Sequence, residues 1–402
     1  MAENPEQPTE RLVALDVFRG MTIAGMLLVN DPGSWSAIYE PLEHAPWHGW
    51  TPTDLVFPFF LFIVGITTYL SLGRRRASGA AQGDLMKKII RRGALIVLFG
   101  LLLNAFPFFW WGKLPGIASP TFLDRVVWRF EHLRFLGVLQ RIGIVYTCAA
   151  LISLRASRRA IITIAAAILI GYWLVMTLVP VPGTGGTLGF FLLDQPGRTL
   201  AAWSDRMILG SDHIWVISKT YDPEGPLSTV PAVATALLGI LAGEWITDKR
   251  RPLLERVAGL YAAGCLTMLA GKLWSWVFPI NKNLWTSSYV LFSAGFAAVV
   301  LATCIWLVDV MKVRGWTKPF VIYGDNPLVA FVGSGLMARC TDSLWKVESG
   351  GKAISVHLFT YQVAFEPYFE PKFASLLWGL CFVLFWLGIL AILYRRNIVL
   401  KV

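Results

Sequence analysis

The stretch that decides the fold is DLVFPFFLFIVGITTYLSL, residues 54–72, whose only charged residue is at its start. An apolar helix of this length covers about 30 Å, the thickness of the hydrocarbon core of a bilayer. Nine further runs of similar length and character occur in the chain: 12–30, 89–106, 135–154, 160–179, 229–247, 257–277, 287–310, 319–339 and 374–394. The sequence therefore predicts an all-α integral membrane protein, a bundle of about ten transmembrane helices.

The composition of the 402-residue chain agrees with a protein embedded in lipid. Hydrophobic residues make up 55% and charged residues 15%, and the mean hydropathy is +0.58, whereas about a quarter of a soluble domain is charged. The net charge of +11 is concentrated in short segments between apolar runs. We attribute it to membrane orientation and expect no nucleic-acid partner. The five cysteines have no paired spacing, so we expect neither a disulfide nor a metal site.

The basic clusters predict the orientation of the chain. They lie between alternate runs, at 74–76 with 87–88, 155–159, 249–251, 312–318 and 395–396, and the positive-inside rule places them in the cytoplasm. With an even number of spans both termini are cytoplasmic. The longer loops are then extracytoplasmic: 31–53, 107–134, 180–228 and 340–373. Because long aromatic-rich loops are often functional, we expect the chemistry on that face of a single domain, residues 1–402.

Polar residues within the apolar runs are costly and therefore informative. Asp16 and Arg19 share one helix face and form either a structural ion pair or a ligand contact. Asn30 closes the same run, as a helix cap or as a functional amide. Gln140 and Arg141 lie within the fourth run, where a guanidinium suits a carboxylate or phosphate. Convergence of several such groups would create a polar cavity for a hydrophilic substrate or cofactor.

The loop before residue 54 is the segment richest in candidate chemistry. From Glu43 it reads EHAPWHGWTPTDLVFPFF and holds His44 and His48, two of five histidines in the chain. A partly sheltered histidine can take a proton from a nucleophile and return it to a leaving group. Asp54 could orient such an imidazole. The alternative is that Asp54 and Thr51 only cap the helix that follows.

Four ordered motifs carry a resemblance to a known family. They are RLVALDVFRGMTIAGMLLVN from 11, HAPWHGWTPTDLVFPFFLFIVG from 44, LGVLQRIGIVY from 136 and NKNLWTSSYV from 281. Together they resemble the heparan-α-glucosaminide N-acetyltransferase family of membrane acyltransferases, which has bacterial members associated with N-acetylglucosamine use. The resemblance runs from about residue 11 to the C-terminus. It implies transfer of an acetyl group from cytoplasmic acetyl-CoA, a co-substrate, to the amine of glucosamine or a glucosamine-terminated sugar, in a bacterial inner membrane.

The resemblance also implies roles for individual residues. The functional histidine of the family matches His44, as general base or acetyl carrier, and its functional asparagine matches Asn30, a donor to the thioester carbonyl. Asp54 would orient His44 or hold the ammonium of the acceptor. The residues assigned to the polyanionic CoA are Arg19, Gln140, Arg141, Lys282 and Asn283.

This chain departs from the family pattern in two places. The segment between Asn30 and His44 is slightly longer, and Gly333-Ser334 stands where the family has Gly-His. A histidine role in that run therefore does not transfer to this chain.

A permease for an amino sugar such as N-acetylglucosamine is the alternative function. A polar bundle suits both, but permeases commonly show two related halves, and we find no such relation in the sequence. A purely structural scaffold explains neither Arg141 nor the polar ends of the first run. The partners we expect are acetyl-CoA, the acceptor sugar and the lipid bilayer, and we also consider a homodimer.

Overall fold

The computed structural model of the chain describes residues 12–400, and the predicted position of the N-terminus lies outside this range. Its α-helices, in chain order, are α1 (Val13–Asn30), α2 (Pro52–Ala77), α3 (Gln82–Ala105), α4 (Phe122–Glu131), α5 (Val138–Arg155), α6 (Arg158–Leu178), α7 (Leu200–Leu209), α8 (Pro226–Ile246), α9 (Leu253–Trp274), α10 (Ser287–Ile305), α11 (Lys318–Asp325), α12 (Pro327–Arg339), α13 (Val356–Ala364) and α14 (Pro371–Arg395).

Short elements connect these helices. Single turns of 3₁₀-helix lie at Glu40–Leu42, Gly189–Leu192, Pro196–Arg198 and Ser211–His213, and π-helical turns follow α10 and α12 at Trp306–Val310 and Cys340–Leu344. Strands β1 (Lys346–Ser349) and β2 (Lys352–Ser355) form an antiparallel hairpin, with Lys346 opposite Ser355. The sequence analysis did not predict this hairpin.

The all-α membrane fold is confirmed, since every predicted run lies on a helix. Eight helices in residues 12–400 are long and apolar enough to cross a membrane: α1, α2, α5, α6, α8, α9, α10 with its π-turn, and α14. Counting α11 and the stretch 327–344 as one span bent by 83° gives a ninth.

Helix α3 accounts for the difference between these nine spans and the ten that the sequence predicts. It carries the predicted run 89–106, but its last 18 residues still include Lys88, Arg91 and Arg92, and each charge is costly in hydrocarbon. The predicted placement of both termini on one side therefore requires α3 to cross with its basic first half at the cytoplasmic boundary.

The bend between α11 and α12 has a local cause. Pro327 disfavours a helical conformation in the residue before it, and Asn326 accordingly has φ −127° and ψ 57°. The Asn326 side chain is buried, donates to the carbonyl of Ile398 at 3.0 Å and accepts from the amide of Leu400 at 2.9 Å. The break is thus fastened to the C-terminal segment.

The core lies where α2, α5, α8 and α10 meet, around buried Leu61, Leu237 and Trp285. Helices α2 and α8 approach closely because glycines face each other: a Cβ on Gly65 would collide with the Ala236 carbonyl of α8. Small residues permit such packing between membrane helices. This contact fixes the N-terminal turn of α2, which carries Asp54, against the core.

The segment between α1 and α2 is tied to three other parts of the chain. The amide of Gly33 donates to the Ser375 carbonyl of α14 at 3.3 Å, and the amide of Gly49 donates to the Ile280 carbonyl at 2.8 Å. The indole of Trp47 donates to the Leu193 carbonyl at 2.7 Å. The loop that carries both histidines is therefore anchored along its length.

Candidate active site

Asp54 is at once a helix cap and a partner of histidine. Its Oδ2 accepts from the amide of Thr51 at 3.0 Å, from the Thr51 hydroxyl at 3.2 Å and from the amide of Ala45 at 3.0 Å. Its Oδ1 lies 2.7 Å from Nδ1 of His44. Asp54 therefore has both predicted contacts. Its Oδ2 caps the helix, and its Oδ1 faces His44.

The His44 imidazole is partly exposed to solvent, whereas its partner Asp54 is buried. The histidine side chain is 49% exposed, whereas Asp54 is 2% exposed. The Lys282 ammonium lies 3.1 Å from Nδ1 and 3.2 Å from Nε2 of the same ring, and 3.7 Å from Asp54 Oδ1. Burial lowers the pKa of Lys282, against the opposing effects of Asp54 and Glu224. These three groups form what we call the His44 triad: His44, Asp54 and Lys282.

The neighbouring His48 is engaged on both ring nitrogens. Its Nε2 lies 2.8 Å from Oδ1 of Asp194, and its Nδ1 lies 3.2 Å from the amide nitrogen of Asn281. Because the Asn281 amide can only donate, Nδ1 is the acceptor and Nε2 carries the proton. This imidazole is 24% exposed, half as much as that of His44. His48 is therefore suited to hold the loop, with no ring nitrogen left for a substrate.

Arg141 is fully buried and fastens α5 to the start of α8. Its guanidinium donates to the hydroxyls of Ser228 and Thr229 and to the Gly225 carbonyl, and it lies over the Trp285 ring at 5.0 Å. Its Nη1 has no hydrogen-bond partner within residues 12–400. These contacts hold the Arg141 side chain inside the bundle, between α5 and the start of α8.

A polar cavity of about 280 Å³ opens between α1, α3, α5 and α12. We call it the Asn30 cavity; the residues that give it its polarity include Asn30, Asp31, Asn104, Gln140, Ser334 and Arg339. Gln140 is 1% exposed, and its amide nitrogen has no hydrogen-bond partner in the described part of the chain. Buried donors are rarely left unpaired, so this group is available to a ligand.

Arg134 links the Asn30 cavity to the His44 triad. It lines the cavity and donates to Asp222 at 2.7 and 2.5 Å and to Glu224. Burial alone would lower the pKa of Arg134, but these carboxylates raise it. The pKa of Glu224 is held down by Arg134, Arg141 and Lys282 despite its burial. Glu224 thus interacts electrostatically with both Arg134 at the cavity and Lys282 at the triad.

The other predicted residues lie in different surroundings. Arg19 pairs with Asp16 at 2.7 Å within α1, eleven residues, or about 17 Å along the helix, from Asn30. Asn283 follows Lys282 in the segment between α9 and α10. The structure therefore brings His44, Asp54 and Lys282 together, places Asn30 and Gln140 in one cavity, and puts Arg19 far from both.

Comparison with known proteins identifies the family of the chain. A family model described as "Heparan-alpha-glucosaminide N-acetyltransferase, catalytic" matches residues 11–277, which contain all of the His44 triad except Lys282. The chain belongs to this family. The matched range also includes Asn30, Arg134 and Glu224.

Two relatives in this family carry the same name, heparan-alpha-glucosaminide N-acetyltransferase. The human protein is 30% identical over 383 residues, which is 84% of this chain and 55% of the relative. The mouse protein is 30% identical over 394 residues, 86% of this chain and 56% of the relative. The chain thus spans about half the length of the curated relatives it matches.

Sequence reasoning missed Asp31, Arg134, Glu224 and Arg339. Asp31 directly follows Asn30, and Arg134 lies two residues before the LGVLQRIG motif, so proximity to the motifs was a usable signal. Glu224 and Arg339 carry no such signal. They join the site only through contacts between distant parts of the chain.

Proposed function

We propose that this chain transfers the acetyl group of acetyl-CoA to the amine of glucosamine or of a glucosamine-terminated sugar. The observation that carries this proposal is the 2.7 Å contact between Asp54 and Nδ1 of an exposed His44, in a chain of this family. A buried carboxylate facing Nδ1 favours the tautomer that carries its proton there. The Nε2 lone pair is then available as a base.

The chemistry follows from that tautomer. As the amine attacks the acetyl carbon, His44 Nε2 takes a proton from the nitrogen, the C–N bond forms and the C–S bond breaks. The proton then passes to the departing thiolate, so that CoA leaves as a thiol. Asp54 stabilises the intermediate imidazolium. In the covalent variant Nε2 itself attacks the carbonyl, expels the thiolate and passes the acetyl group to the amine.

We assign Lys282 to the donor. Its ammonium lies 3.2 Å from His44 Nε2 and 3.1 Å from Nδ1, beside the nitrogen that is proposed to act as the base. The phosphates and the developing thiolate of acetyl-CoA are anions that attract such a cation. Arrival of the donor would draw Lys282 away from the ring and free Nε2, which couples donor binding to activation of the base.

Asn30 is proposed to donate to the thioester carbonyl as negative charge develops on its oxygen. Its position on the Asn30 cavity supports a role in substrate binding. The cavity, at about 280 Å³, is close to the lower limit for small-molecule pockets. It suits a monosaccharide or the acetyl-bearing end of the donor rather than the whole of CoA.

We place this chemistry at the extracytoplasmic face of a bacterial inner membrane. The support is the pattern of basic clusters, which lie at the ends of helices opposite to the His44 triad: the triad adjoins the start of α2, and residues 74–76 end that helix. The donor would therefore be supplied from the cytoplasm and the acceptor from outside.

The deciding experiment uses the purified protein in detergent with acetyl-CoA and glucosamine, followed by thiol release and by detection of the N-acetylated sugar. Formation of both products in equal amounts is expected. Acetyl-CoA should also raise the melting temperature by mass action. Sugar uptake into proteoliposomes without thiol release would support the amino-sugar permease instead.

A further inference from the structure

A second histidine–carboxylate pair lies in the C-terminal third of the chain. His357, in the first turn of α13, has Nδ1 2.5 Å from Oδ1 of Asp342, and its ring stacks on Trp378 of α14 with centroids 4.7 Å apart. The imidazole is 15% exposed. Its buried Nε2 has no hydrogen-bond partner among residues 12–400. The chemistry proposed above makes no use of this pair.

Asp31 connects the pair to the Asn30 cavity. It lines the cavity directly after α1, and the chain behind it is fixed to α14, where the Ser34 amide donates to the Ser375 hydroxyl at 3.0 Å. Burial, with the nearby Asp342 carboxylate, raises the pKa of Asp31 to about 7, while His357 and Arg339 act in the opposite direction. Asp31 therefore lies within electrostatic range of all three groups.

Asp31 is the lining group of the Asn30 cavity that suits a cationic ligand. Among the lining residues described, Asp31 is the only acid. The lining also holds the guanidiniums of Arg134 and Arg339, and that of Arg339 donates to the Gly335 carbonyl at 3.0 Å. The guanidinium of Arg134 is already paired with two carboxylates, and that of Arg129 is directed to the carbonyls of Asn104 and Ala105. Asp31 has no such direct partner among the lining residues described, and the unpaired Gln140 amide faces the same cavity.

We propose that Asp31 binds the ammonium of the acceptor sugar and takes one proton from it, with the Asp342–His357 pair positioning and tuning this carboxylate. The proposal rests on the proposed function and names its acceptor subsite. One N–H bond of the ammonium breaks, the proton passes to an Asp31 oxygen, and the neutral amine keeps the lone pair that attacks the acetyl carbon. A carboxyl group poised near neutral pH suits this step.

Asp31→Asn tests the assignment in steady-state thiol-release kinetics with acetyl-CoA and glucosamine. We expect the KM for glucosamine to rise at least tenfold, and the KM for acetyl-CoA to stay within twofold of wild type, because only the amine loses its charged partner. Asp31→Glu keeps the charge and should restore part of the affinity. Asp212→Asn is the matched control. Asp212 is an exposed carboxylate in a different loop, 180–228, and its loss should leave both KM values unchanged.

The outcomes separate this proposal from the one it rests on. A wild-type protein that releases no thiol with glucosamine overturns both. An active wild type whose Asp31→Asn variant keeps the wild-type KM for glucosamine overturns only the assignment of Asp31. Equal rises in both KM values would also overturn it, since they would indicate general damage to the site.

The pH profile tests the positioning role of the pair. The acid limb of kcat/KM for glucosamine should include a step near pH 7 in wild type that belongs to Asp31, which must be ionised to act as a base. Asp342→Asn removes a like charge and should move the limb to lower pH, whereas His357→Gln removes a group that lowers the pKa and should move it higher. Shifts in the same direction, or none, would overturn the positioning role.

Discussion

The two histidines of the 31–53 loop have opposite surroundings four residues apart. His44 has an exposed ring that contacts one carboxylate, whereas both ring nitrogens of His48 are hydrogen-bonded, to Asp194 and Asn281. We expect His44→Ala to lower the rate of acetyl transfer by about 10²–10⁴-fold, the usual effect of losing a general base. His48→Ala should cost far less. Thiol release from acetyl-CoA and glucosamine measures both.

The pH dependence of the His44→Ala variant separates the two roles of this histidine. If His44 is only a base, some activity returns as the pH rises, because hydroxide or a buffer base can then take the proton from the attacking nitrogen. If it carries the acetyl group, none returns. Wild-type turnover by His44→Ala would exclude the site, and equal loss in both histidine variants would indicate a damaged loop.

At the residue level the sequence predicts groups that are near in the chain and misses those that only folding brings together. His44 and Asp54 are ten residues apart, so one loop and one helix start suffice to place them. Arg134 meets its carboxylates across 88 and 90 residues. No local pattern encodes such a contact, because it depends on how α5 and α8 pack.

The first turn of α2 joins stability to catalysis. Thr51→Ala removes one cap donor but leaves Asp54 facing His44, so we expect a loss of about 0.5–2 kcal/mol in stability with most activity retained. Asp54→Asn weakens the cap and also loses the carboxylate that orients the ring, so activity should fall much further. Thermal melting in detergent, beside thiol release, checks both. Wild-type activity in Asp54→Asn would contradict the orienting role.

The contact between α2 and α8 depends on the absence of a side chain at Gly65. A methyl group there would collide with the Ala236 carbonyl, so we expect Gly65→Ala to separate the helices and to cost about 1–3 kcal/mol, as overpacking typically does. Gly73, farther along α2, has open space at its Cβ position. Gly73→Ala should therefore leave the melting temperature unchanged or raise it, and a similar loss in both variants would contradict this explanation.

Long apolar runs predicted the spanning elements well, while the short elements between them were not predicted. Helices α4, α7 and α13 and the hairpin of β1 and β2 all lie in segments assigned as loops. These elements have ten or fewer residues each, so they lack the long apolar run by which the spanning helices were predicted. The break at Asn326 was hidden in an apolar run, although Pro327 marks it.

The orientation of the whole molecule can be tested with single cysteines in a variant that lacks the five native ones. Ser36→Cys lies exposed in the 31–53 loop, and Ser78→Cys lies exposed just after the basic end of α2. If the basic clusters are cytoplasmic, an impermeant maleimide added to intact cells should label residue 36 and spare residue 78. Labelling of both after lysis is the control, and the reverse pattern in intact cells would invert the proposed sidedness.

The anchoring of the 31–53 loop has a consequence for the order of events in turnover. Because the loop is hydrogen-bonded to α14, to the Ile280 carbonyl and to the Leu193 carbonyl, we expect it to hold the imidazole in one position during turnover. Under the proposed function, the larger movements would then belong to the substrates, with the donor approaching from one side of the membrane and the sugar from the other. The rate of turnover would then be limited by how fast the two substrates reach a base that is already in position.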